Sequence, residues 1–238
     1  MRLSGSAGND FSRDRLDYLA KERAALDAEF EPWEEYQIAE FALSAERQPR
    51  NERELFQPAL ARLDDLKIDI GDGDESEAAS LLNLSEETQI RTTFANRPRK
   101  TSRSRYTIGS GEELADATRT DIRLNSPQVS APVPVELKIA DKWTYSQLCE
   151  RLENQLIGQY MRVSQCGILL IVHNGRRPSW SNSDTKQRLT FSELVPALRD
   201  VGYELAEKYS NVSDIEVIGI DLTARNVRNA NASQKKMP

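Results

Sequence analysis

At 238 residues, 38% of them hydrophobic and 29% charged, the chain suits one large domain or a compact core with a helical extension. The longest apolar run, residues 167–172, is far short of the roughly 20 residues of a bilayer crossing, so a membrane partner is not expected. The first residues lack a secretory pattern, and Cys149 and Cys166 form neither a disulfide framework nor a CxxC pair, so the expectation is a cytoplasmic protein without zinc.

Residues 12–48 read as helix, with Leu16, Leu19, Leu26 and Phe30 at helical spacing. Pro32 breaks or kinks that pattern before Trp33, Tyr36 and Phe41 resume it. A second helix spans Glu52 to Ile70, its apolar face built from Leu55, Ala59, Leu63, Leu66 and Ile70; Pro58 lies inside it or marks its first turn. The Gly/Asp-rich stretch 69–77 fails the EF-hand spacing and reads as a turn into a short helix, capped by Ser76 and running to Leu82. Ser85 begins another helix.

The net charge of −6 does not exclude a polyanionic partner, because the charge is unevenly placed. Arg91, Arg97, Arg99, Lys100, Arg103 and Arg105 fall in one fifteen-residue window without Asp or Glu. Two readings stand side by side: Arg97, Arg99, Lys100, Arg103 and Arg105 grip phosphates, or the window is a solvated linker. The domain plan is a helical N-terminal region (1–90), a basic linker (91–105), a core (106–228) and a disordered tail (229–238).

From Tyr106 the pattern changes to short strands. Tyr106–Leu114 and Asp121–Leu124 flank a polar connection suited to a hairpin, and a loop with Pro127 and Pro132 leads to a strand over Val133–Ala140. A helix follows from Tyr145 to Arg162, with Thr144 and Gln147 in a capping-box pattern. Gly167–His173 is a buried strand, Phe191–Tyr209 a helix begun near Ser192 and interrupted by Pro196, and Ile215–Leu222 a last strand. The order β-β-β-α-β-α-β predicts an α/β domain with a mixed central sheet flanked by helices.

In the strand around Glu136, alternation puts Val133, Val135, Leu137 and Ile139 on one face and Glu136 with Lys138 on the other. If the strand beginning at Asp121 is its neighbour, Asp121 and Glu136 converge. Two carboxylates brought together repel unless a cation lies between them, and oxygen donors suit Mg²⁺ or Mn²⁺. Lys138 then orients a water or stabilises charge developing on phosphate. Both carboxylates are expected at a solvated site outside the core. An ordinary amphipathic strand would carry the same Glu-x-Lys triplet, so the triplet alone is a weak signal.

An Asp fifteen residues before Glu-x-Lys, then a helix with Gln155, resembles the PD-(D/E)XK nuclease superfamily over about Gly111 to Leu222. The resemblance implies a restriction-endonuclease-like fold and a Mg²⁺- or Mn²⁺-dependent nuclease acting on DNA in preference to RNA. It further implies Asp121 and Glu136 as metal ligands, the Leu137 carbonyl as a further ligand, and Lys138 and Gln155 as catalytic residues. The segments "DIRL", "VPVELK" and "QLIGQY" are similar to those of a bacterial group, some members fused to larger proteins that look defence-related. That likeness implies an effector in a defence assembly or a homodimer. The alternative is a non-catalytic nucleic-acid-binding or assembly module that keeps the fold.

Two departures stand out. Thr120, not Pro, precedes Asp121. RecB-type nucleases carry Gln-x-x-x-Tyr, whereas here Gln159 stands at i+4 from Gln155 and Tyr160 at i+5, so α-helical spacing faces Gln155 and Gln159 to the site and Tyr160 less readily, which makes Gln155 the candidate and Tyr160 second to it. Glu112 or Glu113 positions a metal-bound water or is an exposed edge charge. His173 and Trp143 read as structural. Arg176, Arg177, Lys186 and Arg188 form a polar loop that either grips phosphates or is simply solvated.

Overall fold

The computed structural model describes residues 15–21, 23, 33–46, 48–72, 78–84, 86–102, 105–110, 121–182 and 185–224. The chain divides into two compact units, Met1–Arg47 and Gln48–Pro238. In the first unit, residues 15–21 are helical and helix α1 spans Glu35–Glu46, on the far side of Pro32. Trp33 packs edge-on against Phe41, centroids 5.2 Å apart.

The second unit opens with helix α2 (Glu52–Asp72), which buries Leu55, Phe56, Ala59, Leu63, Leu66 and Ile70. Pro58 lies inside it, past the first turn. After the short α3 (Ala78–Leu82) comes α4 (Glu87–Thr101). Most of the stretch read as a linker is therefore helix. Ile90 and Phe94, four residues apart, are fully buried and hold it to the core. Ser76, Ser85, Glu112, Glu113, the hairpin turn before Asp121 and the tail 229–238 lie outside the described residues.

Strands β1 (Thr107–Ser110), β2 (Ile122–Ser126), β3 (Val129–Ile139), β4 (Cys166–His173) and β7 (Asp214–Asp221) form one sheet in the order β1-β2-β3-β4-β7. β1, β2 and β3 are antiparallel neighbours, while β3, β4 and β7 run parallel, so the sheet is mixed. The strand expected from Val133 begins earlier, at Val129, because Pro127 and Gln128 alone make the turn from β2. A two-stranded ribbon, β5 (Trp180–Ser181) with β6 (Arg188–Leu189), stands apart.

Between β3 and β4 runs helix α5 (Tyr145–Glu150), capped by Thr144 and Gln147 as expected and continuing as a π-helix over Arg151–Tyr160. Between β6 and β7 runs α6 (Phe191–Lys208). Its capping box is Thr190 with Glu193, and Pro196 sits in an unbroken helix. Two apolar clusters fill the spaces between layers. One joins α2, α3 and α4 to Val133, Val135, Leu137 and Ile139 of β3; the other joins α5, the π-helix and α6 to Leu169, Ile171 and Val217. The architecture is a five-stranded mixed sheet between two helical layers.

Candidate active site

Alternation along β3 divides its side chains as the sequence predicts. Val133 to Ile139 at odd positions join the first cluster. Glu136 and Lys138 face the α5 side, paired in register with Leu169 and Ile171 of β4. The β2–β3 register, Ile122 opposite Val135, places Asp121 opposite Glu136 when extended by one residue. The two carboxylates do converge, but on a buried site. Glu136 is 0% exposed and Lys138 6%, so the expectation of a solvated pair fails. The cause is that β4 pairs along the second edge of β3 while the π-helix packs over the Glu136 face and α2 and α4 over the other, so neither face is left open as in a sheet that is only antiparallel.

The Lys138 ammonium sits among oxygens. It forms a close ion pair with Glu136 Oε1, lies 3.6 Å from Glu87 Oε2 and 3.9 Å from Asp121 Oδ2, and donates to the Leu137 carbonyl at 3.2 Å. Asp121 is anchored on both oxygens: Oδ1 accepts from Arg91 Nη1 and Oδ2 from the Leu137 N–H, each at 3.0 Å. Glu87 Oε1 accepts from the Ile139 N–H and from Trp143 Nε1, both at 3.2 Å. Glu136 differs. Despite its ion pair, neither oxygen has an aligned hydrogen bond.

Burial, and then the Asp121 carboxylate beside it, push Glu136 up to about 8 against the pull of Lys138. Burial would lower the Lys138 ammonium, but Glu136 and Glu87, with Asp121, hold it above the ordinary lysine value. It is a cation kept by its neighbours.

Gln155 and Tyr160 correct the helical-face argument. In the π-helix, bonding runs from i to i+5, as in Met161 N–H to Leu156 O at 2.9 Å, and residues five apart return to one face. Gln155 Nε2 accordingly lies 2.7 Å from Tyr160 Oη, while Gln159 is exposed. Burial first, then the charge of Glu136, raises the Tyr160 phenol, which places it within electrostatic reach of the carboxylates. The Gln155 Oε1 atom is buried without a partner.

Glu87 and Arg91 were not singled out for this site by sequence. They stand at i and i+4 on α4, so one helix face delivers both. That spacing was visible, but only once the helix is known to pack here. Of the basic window, Arg99 Nε and Nη2 donate to Ile108 O (3.3 and 2.9 Å) and Arg105 Nε to Ser102 O (3.3 Å). The side chains of Arg97 and Lys100, and the whole of Arg103, lie outside the described residues. His173 is held by Asp141 and stacked on Phe191.

Among the described residues no group of three or more His, Cys, Asp or Glu is arranged to hold a metal ion. The donors that do converge, Asp121, Glu136 and the Leu137 carbonyl, are hard oxygens. The buried Glu136 oxygens without aligned donors, and an ammonium already lodged among these groups, fit a cation site of that chemistry. No family model, curated protein or solved structure matches the chain.

Proposed function

We propose that the chain is a metal-dependent nuclease of the PD-(D/E)XK type, with a restriction-endonuclease-like core, hydrolysing DNA phosphodiester bonds. The observation that carries the reading is the convergence of Asp121, Glu136 and Lys138, predicted from three positions in two strands, around one buried ammonium. Asp121, Glu136 and the Leu137 carbonyl would hold Mg²⁺ or Mn²⁺. Such an ion supplies a water of lowered pKa and neutralises charge on the phosphate.

The chain's own residues do the rest. Lys138, kept protonated by its carboxylates, directs its N–H bonds to the attacking water or the phosphate oxygens. Arg91 and the Leu137 N–H hold the Asp121 carboxylate in one orientation. Gln155 is steadied by its bond to Tyr160. The DNA strand and the defence setting are part of the proposal.

One observation favours the second reading, a nucleic-acid-binding or assembly module without catalysis: both Asp121 oxygens already have donors. A panel of labelled DNA and RNA substrates, incubated with Mg²⁺, Mn²⁺ or EDTA, separates the two. Cleavage of DNA that needs the metal and is lost in Asp121→Asn supports the nuclease. Binding without cleavage under every metal supports the module.

A further inference from the structure

The charge around Lys138 leaves a problem for any phosphate. Glu87, Asp121 and Glu136 supply three carboxylates, whereas the cations among them, Arg91 and Lys138, are both engaged by those carboxylates. A polyanion approaching this cluster meets acidic groups whose positive partners are already committed.

Arg151 has no such commitment. It is the first residue of the π-helix, four residues before Gln155, and half-buried. Its guanidinium carbon lies 4.7 Å from the centroid of the Trp143 ring, the same indole that Lys138 Nζ approaches at 5.8 Å and whose N–H is held by Glu87. Among the described residues no carboxylate pairs with it, and its buried Nε has no hydrogen-bond partner. A guanidinium stacked on an aromatic face is partly desolvated and fixed in direction, while its edge stays available for a two-point contact with an anion. Leaving a buried N–H of a cation unmet costs stability unless an acceptor arrives.

We infer that Arg151, set by Trp143, is a phosphate-binding residue that seats the nucleic-acid backbone one indole away from Lys138. The inference rests on the nuclease reading of the site. It assigns to Arg151 the hold on the nucleic-acid backbone that Arg91, bound to Asp121, does not offer, and leaves Lys138 to the water and the charge developing at the reacting phosphate. Arginine suits the place better than lysine, because the planar fork both stacks on the ring and takes two phosphate oxygens.

The test uses the full chain and a fluorescein-labelled 20-nucleotide DNA, single-stranded and duplex. Anisotropy in EDTA across a salt series reads binding without cleavage. Arg151→Met keeps the stem and loses the charge, Arg151→Lys keeps the charge and loses the fork, and Lys67→Gln serves as an exposed control on α2. Expected are a roughly tenfold loss of affinity in Arg151→Met and a salt slope shallower by about 0.7 to 0.9. Arg151→Lys should recover the slope but only part of the affinity, and Lys67→Gln should match the parent. With Mn²⁺ present, the Arg151→Met defect should fall on KM, with kcat near the parental value.

Unchanged affinity and slope in both Arg151 variants, on a parent that binds and cleaves, overturn the inference and leave the nuclease standing. So does a lower melting temperature with an intact slope, since that is what packing on Trp143 alone gives. A parent that binds through Arg151 but never cleaves retains the phosphate site and removes the nuclease. A parent that neither binds nor cleaves overturns both.

Discussion

Two buried carboxylates lie five residues apart at the end of β3, and the fold treats them in opposite ways. Asp141 is fully furnished: Oδ2 accepts from the Asn174 N–H at 2.9 Å and meets His173 Nδ1 at 3.0 Å, and Oδ1 accepts from the Arg177 N–H at 2.8 Å. The Asn174 carboxamide, with its nitrogen turned to the acid, adds two further donations. Burial would raise this carboxyl, but the His173 ring and the two backbone N–H groups outweigh it and hold Asp141 below the ordinary value. Glu136 has one ammonium, no aligned donor and two acidic neighbours, and its carboxyl is pushed up to about 8. Asp141 ties the loop after β4 to the end of β3; its bonds go to the chain. Glu136 is left with bonding capacity that the described residues do not fill, and that is the property of a site that receives something.

The largest effect that sharpens this contrast is on metal. Asp121→Asn should abolish detectable cleavage and weaken Mn²⁺ binding in a calorimetric titration, while Asp141→Asn leaves Mn²⁺ binding unchanged. Equal Mn²⁺ affinity in parent and Asp121→Asn would break the comparison, because neither carboxylate would then be a ligand. Next is Lys138. Lys138→Met, close in length and without the charge, should lower single-turnover cleavage by roughly 10²–10³. Melting curves must accompany it, since removing the ammonium leaves Glu136 buried with no cation and favours its protonated form. Parental rates in a folded Lys138→Met would reduce Glu-x-Lys to an amphipathic strand.

Stability gives a third and smaller contrast, with opposite signs. Asp141→Ala strands His173 and two backbone N–H groups, a loss of about 3–5 kcal/mol. Glu136→Gln removes an acid whose burial outweighs its ion pair with Lys138 and leaves that ammonium to Glu87 and Asp121, so it should be neutral or stabilising. In metal-free protein the pH limbs differ as well. Glu136 is raised from about 4.5 to about 8, so its favourable contribution is complete below the lower value and is lost as pH rises through the upper one. Asp141 is lowered from about 3.8, so its contribution is complete above that value and is lost as pH falls through its depressed one. Denaturant midpoints across this range should therefore lose the neutral decline in Glu136→Gln and part of the acid decline in Asp141→Asn. A neutral decline that survives in Glu136→Gln assigns it to another group.

How much of this was legible follows from which interactions are local. The β3 alternation and the convergence of Asp121 with Glu136 were readable because period-two patterning and a short turn are properties of neighbouring residues. The burial of Glu136 was not, since it depends on β4 and the π-helix arriving from later in the chain. Tyr160 ranks second to Gln155 by α-helical geometry, and no local signal marks the change to i→i+5 bonding over residues 151–160. Glu87 and Arg91 went unread for a third reason. Charge composition made the stretch from Arg91 a linker, although Ile90 and Phe94 carry the helical spacing that buries α4.

The smallest effect lies in that same stretch, where the basic side chains were weighed as phosphate grips. Arg99 and Arg105 now have local partners, and the two differ. Arg99 makes two bonds to the Ile108 carbonyl and a third, at 2.9 Å, to Asn96 Oδ1, so it ties α4 to β1. Arg105 makes one bond three residues back along the chain. Removing Arg99 should cost about 1–2 kcal/mol, the scale of losing a charge-assisted bond to a carbonyl, whereas Arg105→Ala should cost a few tenths at most. On DNA binding the order reverses if either reaches a phosphate. Arg105, whose Nε alone is engaged among the described residues, has its Nη groups for an anion and would lower the salt slope by about 0.7 to 0.9 on removal. Arg99, with Nε and both Nη groups already donating, would change the slope little. A slope reduced in Arg99→Ala at unchanged stability would mean that its bonds to Ile108 give way to phosphate on binding, and α4 would then belong to the nucleic-acid surface as well as to the core.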